Sequence, residues 1–195
     1  ADSHLSKGMI YFNSGKVDMA IISFLFVINN FQKTIYFKEA LSGLQVAYLS
    51  LAKVDEYLNI VNGLPEISIS RAEQDSLTYN TAFMKFSDGD YALAKTTFNQ
   101  YLEKFENGIF KIDAAYYNAI SSLKVGDTAT AVLMFTDLIG VSNVDYQQSA
   151  LSFLARKYYA EDDYANSNIY YQNLEAVATN NSFKREAIIR LMYGN

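Results

Sequence analysis

The apolar residues of this chain recur at steps of three and four along much of its length. Ala94, Phe98 and Tyr101 form one such set, and the same steps begin again at Ala131. These steps place side chains on one face of an α-helix. One proline and nine glycines in 195 residues leave few helix breakers. The pattern therefore predicts an all-α chain of helices joined by short loops.

A longer repeat underlies these helices. A small residue stands at Ala20, Ala94, Ala131 and Ser167, which lie 74, 37 and 36 positions apart. The first step is twice the others, so a degenerate copy is expected in between, with Tyr57 where a small residue belongs. We predict about five helix-turn-helix repeats and a partial sixth. Their expected bounds are 1–34, 38–70, 75–108, 112–145, 148–181 and, in part, 183–195.

The turns within the repeats have their own signal. Gly15, Gly89 and Gly126 stand where a first helix ends, a position that often needs a positive φ. Asp90 and Asp127 follow as expected N-caps of the second helices.

Small and large side chains alternate in a way that predicts close packing. Small residues let two helix axes approach, and large ones fill the space toward the next repeat. The small set is Gly8, Ala20, Ala82, Ala94, Ala119, Ala131, Ala155 and Ser167. The large set is Phe24, Phe98, Phe135 and Tyr171.

This arrangement resembles the tetratricopeptide repeat (TPR) family over essentially the whole chain. Gly8, Tyr11, Gly15, Ala20 and Phe24 have the spacing of that motif. The family repeat is about 34 residues long, and we expect the surplus here to lie in loops between repeats. The resemblance implies a single right-handed α-α superhelix, a TPR solenoid, over residues 1–195. The longer loops look most similar to bacterial cell-envelope TPR proteins of the outer-membrane assembly or Tol-Pal-associated type.

The resemblance also implies a peptide-binding groove lined by the first helices. A groove rich in Tyr and Phe suits an extended peptide or an amphipathic helix. Packing between repeats is the alternative role of the same residues, above all for Phe83 and Ile120. The positions that carry over are Leu5, Met9, Phe12, Asn13, Val46, Leu49, Tyr79, Phe83, Phe86, Tyr116, Ile120, Leu123, Lys124, Arg156 and Tyr159. Because Arg156 stands alone among them as an arginine, capture of a chaperone tail through its carboxylate is not expected.

Composition narrows the class of partner to proteins or peptides. The net charge is -5 without any basic run, which disfavours nucleic acids and acidic membrane surfaces. Cysteine is absent, which excludes disulfides and thiolate metal sites. The most apolar stretch, Met19 to Ile28, is far shorter than a membrane span. Periplasmic or envelope localisation is favoured over the cytoplasm.

No reaction chemistry is predicted. The single histidine, His4, is interpreted as a surface residue, and the acidic run Glu161, Asp162 and Asp163 as a solvated turn. We therefore expect no catalytic residue, cofactor or metal.

The leading hypothesis is a non-catalytic interaction or scaffold module. The alternative is an architectural or oligomerisation spacer within a larger envelope protein. The apolar residues Ile188, Ile189, Leu191 and Met192 near the end of the chain predict either further repeats in a longer protein or self-association through that end. An all-helical enzyme is a remote third hypothesis.

Overall fold

A computed structural model describes residues 1–65 and 67–193, and these fold into eleven helices without a strand. The helices are α1 (Asp2–Asn13), α2 (Val17–Asn30), α3 (Ile35–Ser50), α4 (Val54–Asn62), α5 (Arg71–Ser87), α6 (Tyr91–Lys104), α7 (Lys111–Lys124), α8 (Thr128–Asp137), α9 (Val144–Ala160), α10 (Tyr164–Val177) and α11 (Asn181–Tyr193).

Five short turns join a first helix to a second one. Gly15, Gly89 and Gly126 have φ values of 76°, 80° and 82°, which confirms the predicted left-handed positions. Ala52 and Asp162 take the corresponding places in the other two turns, with φ values of 56° and 60°. These two residues bear a Cβ in a conformation that favours glycine, so their turns are strained.

The predicted caps are also confirmed. The carboxylate of Asp90 accepts a hydrogen bond from the backbone N–H of Leu93, and that of Asp127 accepts one from Thr130, both at 3.1 Å. Asp163 caps α10 in the same way. Each carboxylate satisfies a backbone donor that the first turn of a helix leaves unpaired.

The chain divides into two compact units, residues 1–81 and 82–195, with the boundary inside α5. The core of unit 1 is built on Phe24, Val27, Ile28 and Leu44. In unit 2, one cluster surrounds Phe135 and another contains Tyr171, Leu151 and Leu174.

The predicted packing residues are buried. Ala20, Ala94, Ala131 and Ser167 have no exposed surface. The large residues Phe24, Phe98, Phe135 and Tyr171 are at most 2% exposed. Small side chains thus lie where helices meet, and aromatic rings fill the interior.

The second hairpin, α3–α4, departs from this scheme. Tyr57 is buried at the position that Ala20 holds in the first hairpin. Its helix, α4, has nine residues, whereas α2 has fourteen.

Candidate functional site

In unit 1, the ring of Phe24 lies between two glycines on neighbouring first helices. A Cβ on Gly8 of α1 would lie 2.5 Å from Cε1 of Phe24, and one on Gly43 of α3 would lie 2.6 Å from its Cζ. Neither position tolerates a side chain without movement of the ring. Glycine therefore lets the backbones of α1 and α3 approach Phe24 from two sides.

Above Phe24 lies a groove of about 380 Å³, called here the α1–α3 groove. Four of the predicted groove residues come together in its lining: Met9, Phe12, Asn13 and Val46. Met9 is 46% exposed and Val46 is 50% exposed. The rest of the lining is Phe24, Glu39, Ser42 and Gly43. An apolar surface with a few polar groups at its edge suits a protein ligand.

Three predicted residues of unit 1 do not line this groove. Leu5 is 3% exposed and belongs to the core, and Tyr79 is 8% exposed. Leu49 is half-buried and packs against the core. The burial of these three side chains is that expected for the alternative role, packing between repeats.

In unit 2, half-buried aromatic rings from three first helices form a continuous cluster. Phe83 and Phe86 of α5 each lie 4.9 Å from Tyr117 of α7, measured between ring centroids. Tyr116 stacks on Tyr146 of α9 at 4.1 Å. We call these five residues the aromatic cluster. Phe83, Phe86 and Tyr116 were predicted, whereas Tyr117 and Tyr146 were not.

A hydrogen bond fixes one end of this cluster. The hydroxyl of Tyr146 donates to the carboxylate of Asp113 at 2.7 Å. Burial and this carboxylate raise the pKa of Tyr146 well above its ordinary value, so the phenol stays neutral. The sequence offered a signal for neither Tyr117 nor Tyr146, because their contacts join residues about thirty positions apart.

The remaining α7 positions differ in exposure. Ile120 and Leu123 are partly buried and pack against the core. Lys124 is exposed, and its Nζ lies 5.9 Å from the ring centroid of Tyr91. Of these three residues, Lys124 alone is exposed to solvent.

Helix α11 engages both predicted residues of α9. The guanidinium of Arg156 donates two hydrogen bonds to the carboxylate of Glu186. Burial alone would raise the pKa of Glu186, but Arg156 holds that pKa below its ordinary value. The guanidinium carbon of Arg190 lies 4.6 Å from the ring centroid of Tyr159. A partner would have to compete with α11 for these two side chains.

The polar residues considered for chemistry take part in local contacts. His4 is half-buried and stacks on Phe26 at 4.0 Å, so it is less free than a surface histidine. In the acidic run, Glu161 pairs with Lys157, Asp162 accepts from the hydroxyl of Tyr164, and Asp163 caps α10.

The described residues contain no group of three or more His, Cys, Asp or Glu side chains placed to hold a metal ion. Among these residues, no helix has the length and apolar character that crossing a bilayer requires.

Comparison with known proteins gives a likeness in fold. The chain is similar to the solved structure of Pseudomonas aeruginosa pilF, with 15% identity, 97% of this chain and 82% of that chain covered, and a TM-score of 0.50. It also matches the P58(IPK) TPR domain, with 16% identity, coverage of 97% and 54%, and a TM-score of 0.46. A tetratricopeptide repeat protein from Parabacteroides merdae matches with 17% identity, coverage of 97% and 83%, and a TM-score of 0.32.

No family model matches the chain, and neither does any curated protein. At identities this low, structural likeness concerns the fold alone. The predicted all-α fold of repeated helical hairpins is confirmed.

Proposed function

We propose that this chain is a non-catalytic interaction module that binds a peptide or an amphipathic helix on its first helices. The resemblance of the sequence to the TPR family implies binding of protein partners. The observation that supports binding is the α1–α3 groove, where Met9 and Val46 keep about half of their surface exposed beside Asn13 and Ser42. Burying such apolar surface on a partner is favourable at roughly 25 cal/mol per Å².

The aromatic cluster of unit 2 is proposed as a second contact surface. Its rings hold one another in place, so little side-chain entropy is lost when a ligand covers them. The residues carried forward are Met9, Phe12, Asn13, Val46, Phe83, Phe86, Tyr116 and Lys124. A bacterial source and an envelope location belong to this proposal and rest on the sequence resemblance.

The experiment uses a peptide-display library selected against the whole chain. A selected peptide is then titrated against Met9→Glu and, as a matched control, against Ile10→Glu. Both residues are exposed and adjacent on α1, but Met9 lines the groove and Ile10 does not. We expect Met9→Glu to weaken binding at least tenfold and Ile10→Glu to leave it unchanged. Equal effects of the two substitutions would contradict the groove assignment.

The second function, an oligomerisation element, is supported by one observation on α11. Ile189, Met192 and Tyr193 are 55%, 66% and 78% exposed. Apolar side chains that share a helix end promote association. Sedimentation equilibrium is expected to show a concentration-dependent mass that Ile189→Lys abolishes. A strict monomer at high concentration would remove this alternative.

A further inference from the structure

The α3–α4 hairpin contains an unusual residue at its centre. Tyr57 is 4% exposed, yet the corresponding residue is Ala20, Ala94 or Ala131 in other repeats. Those alanines let the two helices of a hairpin meet closely. A phenol ring at the same place needs more space than a methyl group, because packed interiors do not absorb the extra volume of a ring.

A cavity of about 310 Å³ lies beside Tyr57, and we call it the α3–α4 cavity. Its wall is mostly aliphatic and comes from α3, α4, α5 and the connection between α4 and α5. The lining residues are Leu41, Gln45, Tyr57, Val61, Ile67, Ile69, Glu73 and Leu77. All of them belong to unit 1, and none belongs to the α1–α3 groove.

At its inner end, the cavity holds a polar group with unused hydrogen-bonding capacity. Among the described residues, the hydroxyl of Tyr57 makes one hydrogen bond, to Oε1 of Gln45, and this bond is long at 3.4 Å. An O–H···O bond of good geometry is about 2.7–2.8 Å long. Burial raises the pKa of Tyr57, so its hydroxyl stays protonated at neutral pH. A ligand hydroxyl at this point would gain a better bond than the one now present.

The outer end of the cavity carries a negative charge. Glu73 is exposed, and its carboxylate accepts from the backbone N–H of Ser70 at 2.7 Å, while its own N–H donates to the Ser70 hydroxyl at 3.2 Å. This reciprocal pair is a capping box at the start of α5. Hydrogen bonds from Ser70 hold the pKa of Glu73 below its ordinary value, so it is ionised at neutral pH. No lysine, arginine or histidine is among the lining residues.

We propose that the α3–α4 cavity is a binding site for a small aryl or alkyl amine that carries a hydroxyl group at its far end. The ammonium group lies toward Glu73 at the rim, the apolar body lies against the aliphatic wall, and the hydroxyl bonds to Tyr57 and Gln45. The volume suits about ten non-hydrogen atoms at roughly 30 Å³ for each. This site is independent of the proposed peptide-binding function.

Three probes of nearly equal size separate the parts of this proposal. Tyramine has both the amine and the hydroxyl, phenethylamine lacks the hydroxyl, and 4-hydroxyphenylacetate replaces the amine by a carboxylate. Each is titrated into the whole chain, with binding followed by NMR chemical shifts of backbone amides. We expect tyramine to bind more tightly than phenethylamine, and the carboxylate to bind about two- to fivefold more weakly than tyramine, because Glu73 is exposed and solvent screens its charge.

Two variants test the assigned contacts. Tyr57→Phe keeps the ring but removes the hydroxyl, so it lowers tyramine affinity to that of phenethylamine and leaves phenethylamine unchanged. Glu73→Gln keeps the capping box, because glutamine also serves there. It lowers the affinity of both amines about two- to fivefold, as expected for a charge pair at an exposed position. Glu103→Gln and Tyr164→Phe, on exposed positions of unit 2, are the matched controls and change nothing.

Several results would overturn the site. They are equal affinity for the amine and the carboxylate, amide shifts outside residues 41–77, or unchanged tyramine binding in Glu73→Gln. Thermal melting by circular dichroism identifies any variant that fails to fold. If Tyr57→Phe is such a variant, Glu73→Gln and the three probes still decide the question.

Discussion

The second helices of the two units begin in different ways. In unit 2, α6, α8 and α10 each start at an aspartate whose side chain caps the helix. In unit 1, α2 and α4 start at Lys16 and Lys53, which make no side-chain cap. The small residue of the motif is also lost in unit 1, where Tyr57 replaces it.

Both cavities considered as binding sites belong to unit 1, where the sequence departs most from the motif. In the first hairpin, two glycines admit Phe24 and leave a groove above it. In the second hairpin, Tyr57 adjoins a cavity. The comparison teaches that space for a ligand is left both beside a hairpin that keeps the motif residues Ala20 and Phe24 and beside one in which Tyr57 replaces the small residue.

The largest effect is expected from removing the ring of Phe24. Phe24→Ala leaves a hole between Gly8 and Gly43, and such truncations cost about 3–5 kcal/mol. Urea unfolding followed by circular dichroism measures the loss. Phe26→Ala on the same helix is the control, because Phe26 is 41% exposed, and its loss is expected to stay below about 1.5 kcal/mol. Similar losses for both would show that the glycine-lined position is not special.

A methyl group on Gly43 tests the same contact from the other side. Gly43→Ala places a carbon 2.6 Å from Phe24, and overpacking of this kind costs about 1–3 kcal/mol. Gly140→Ala meets nothing within 4 Å and is the control. Adding Phe24→Leu to Gly43→Ala is expected to cost less than the sum of the two single changes. Strict additivity in urea unfolding would argue against a direct clash.

Substitutions in the turns of the two unit 1 hairpins are expected to change the free energy of unfolding by smaller amounts and in opposite directions. Gly15→Ala places a Cβ at a φ of 76° in open space, so only backbone strain of about 1–2 kcal/mol is added. Ala52→Gly relieves the same strain at a φ of 56° and stabilises by about 0.5–1 kcal/mol after the entropy of glycine is subtracted. Thermal unfolding should move down for the first variant and up for the second. If Ala52→Gly is instead destabilised, the packing of the Ala52 methyl group contributes more than the backbone strain costs.

Helix capping sharpens the comparison between the units further. Lys53→Asp is expected to stabilise by about 0.5 kcal/mol, because it adds a cap and a favourable charge at a helix start. The lost pair with Glu56 is exposed and contributes little. Asp90→Ala is the reverse test and should cost about 1 kcal/mol. Lys53→Ala removes the lysine without adding a cap, so its free energy of unfolding is the reference for the effect of the new aspartate cap.

The smallest of the expected effects is a loss of stability in acid at a capped helix of unit 2. Hydrogen bonds from Lys95 and Thr130 lower the pKa of Asp127 below its unfolded value of about 3.9. Its contribution is therefore present above that value and is lost as the pH falls below it. Hydrogen exchange at the Thr130 amide, corrected for intrinsic rate, should accelerate at pH 3 relative to pH 5. Asp127→Asn still caps but cannot titrate, so its residual acceleration would indicate another cause.

Much of the fold could be predicted because its signals are local. Gly89 and Asp90 mark one turn by backbone preference and capping, which involve neighbours within three or four residues. The small residues at Ala94 and Ala131 repeat with the hairpin itself. Left-handed Ala52 and Asp162 were harder to foresee, because neither residue type signals a positive φ as glycine does.

The candidate site was predicted less completely. Met9 and Val46 share a face across two helices, as the repeat implies, and they line one groove. Arg156 and Tyr159 lie on the corresponding face of α9, but Glu186 pairs with the guanidinium of Arg156 and Arg190 lies over the ring of Tyr159. No local pattern separates the open pair from the covered pair, since thirty residues lie between the partners.

The amino-acid sequence alone determined the helices, their period and their turns, since hydrophobic spacing and backbone preference act over a few residues. The tertiary structure decided which first-helix residues stay open, and it placed a cavity beside Tyr57. Exposure and cavity volume depend on side chains that meet from distant parts of the chain, so they exist only once those parts have packed.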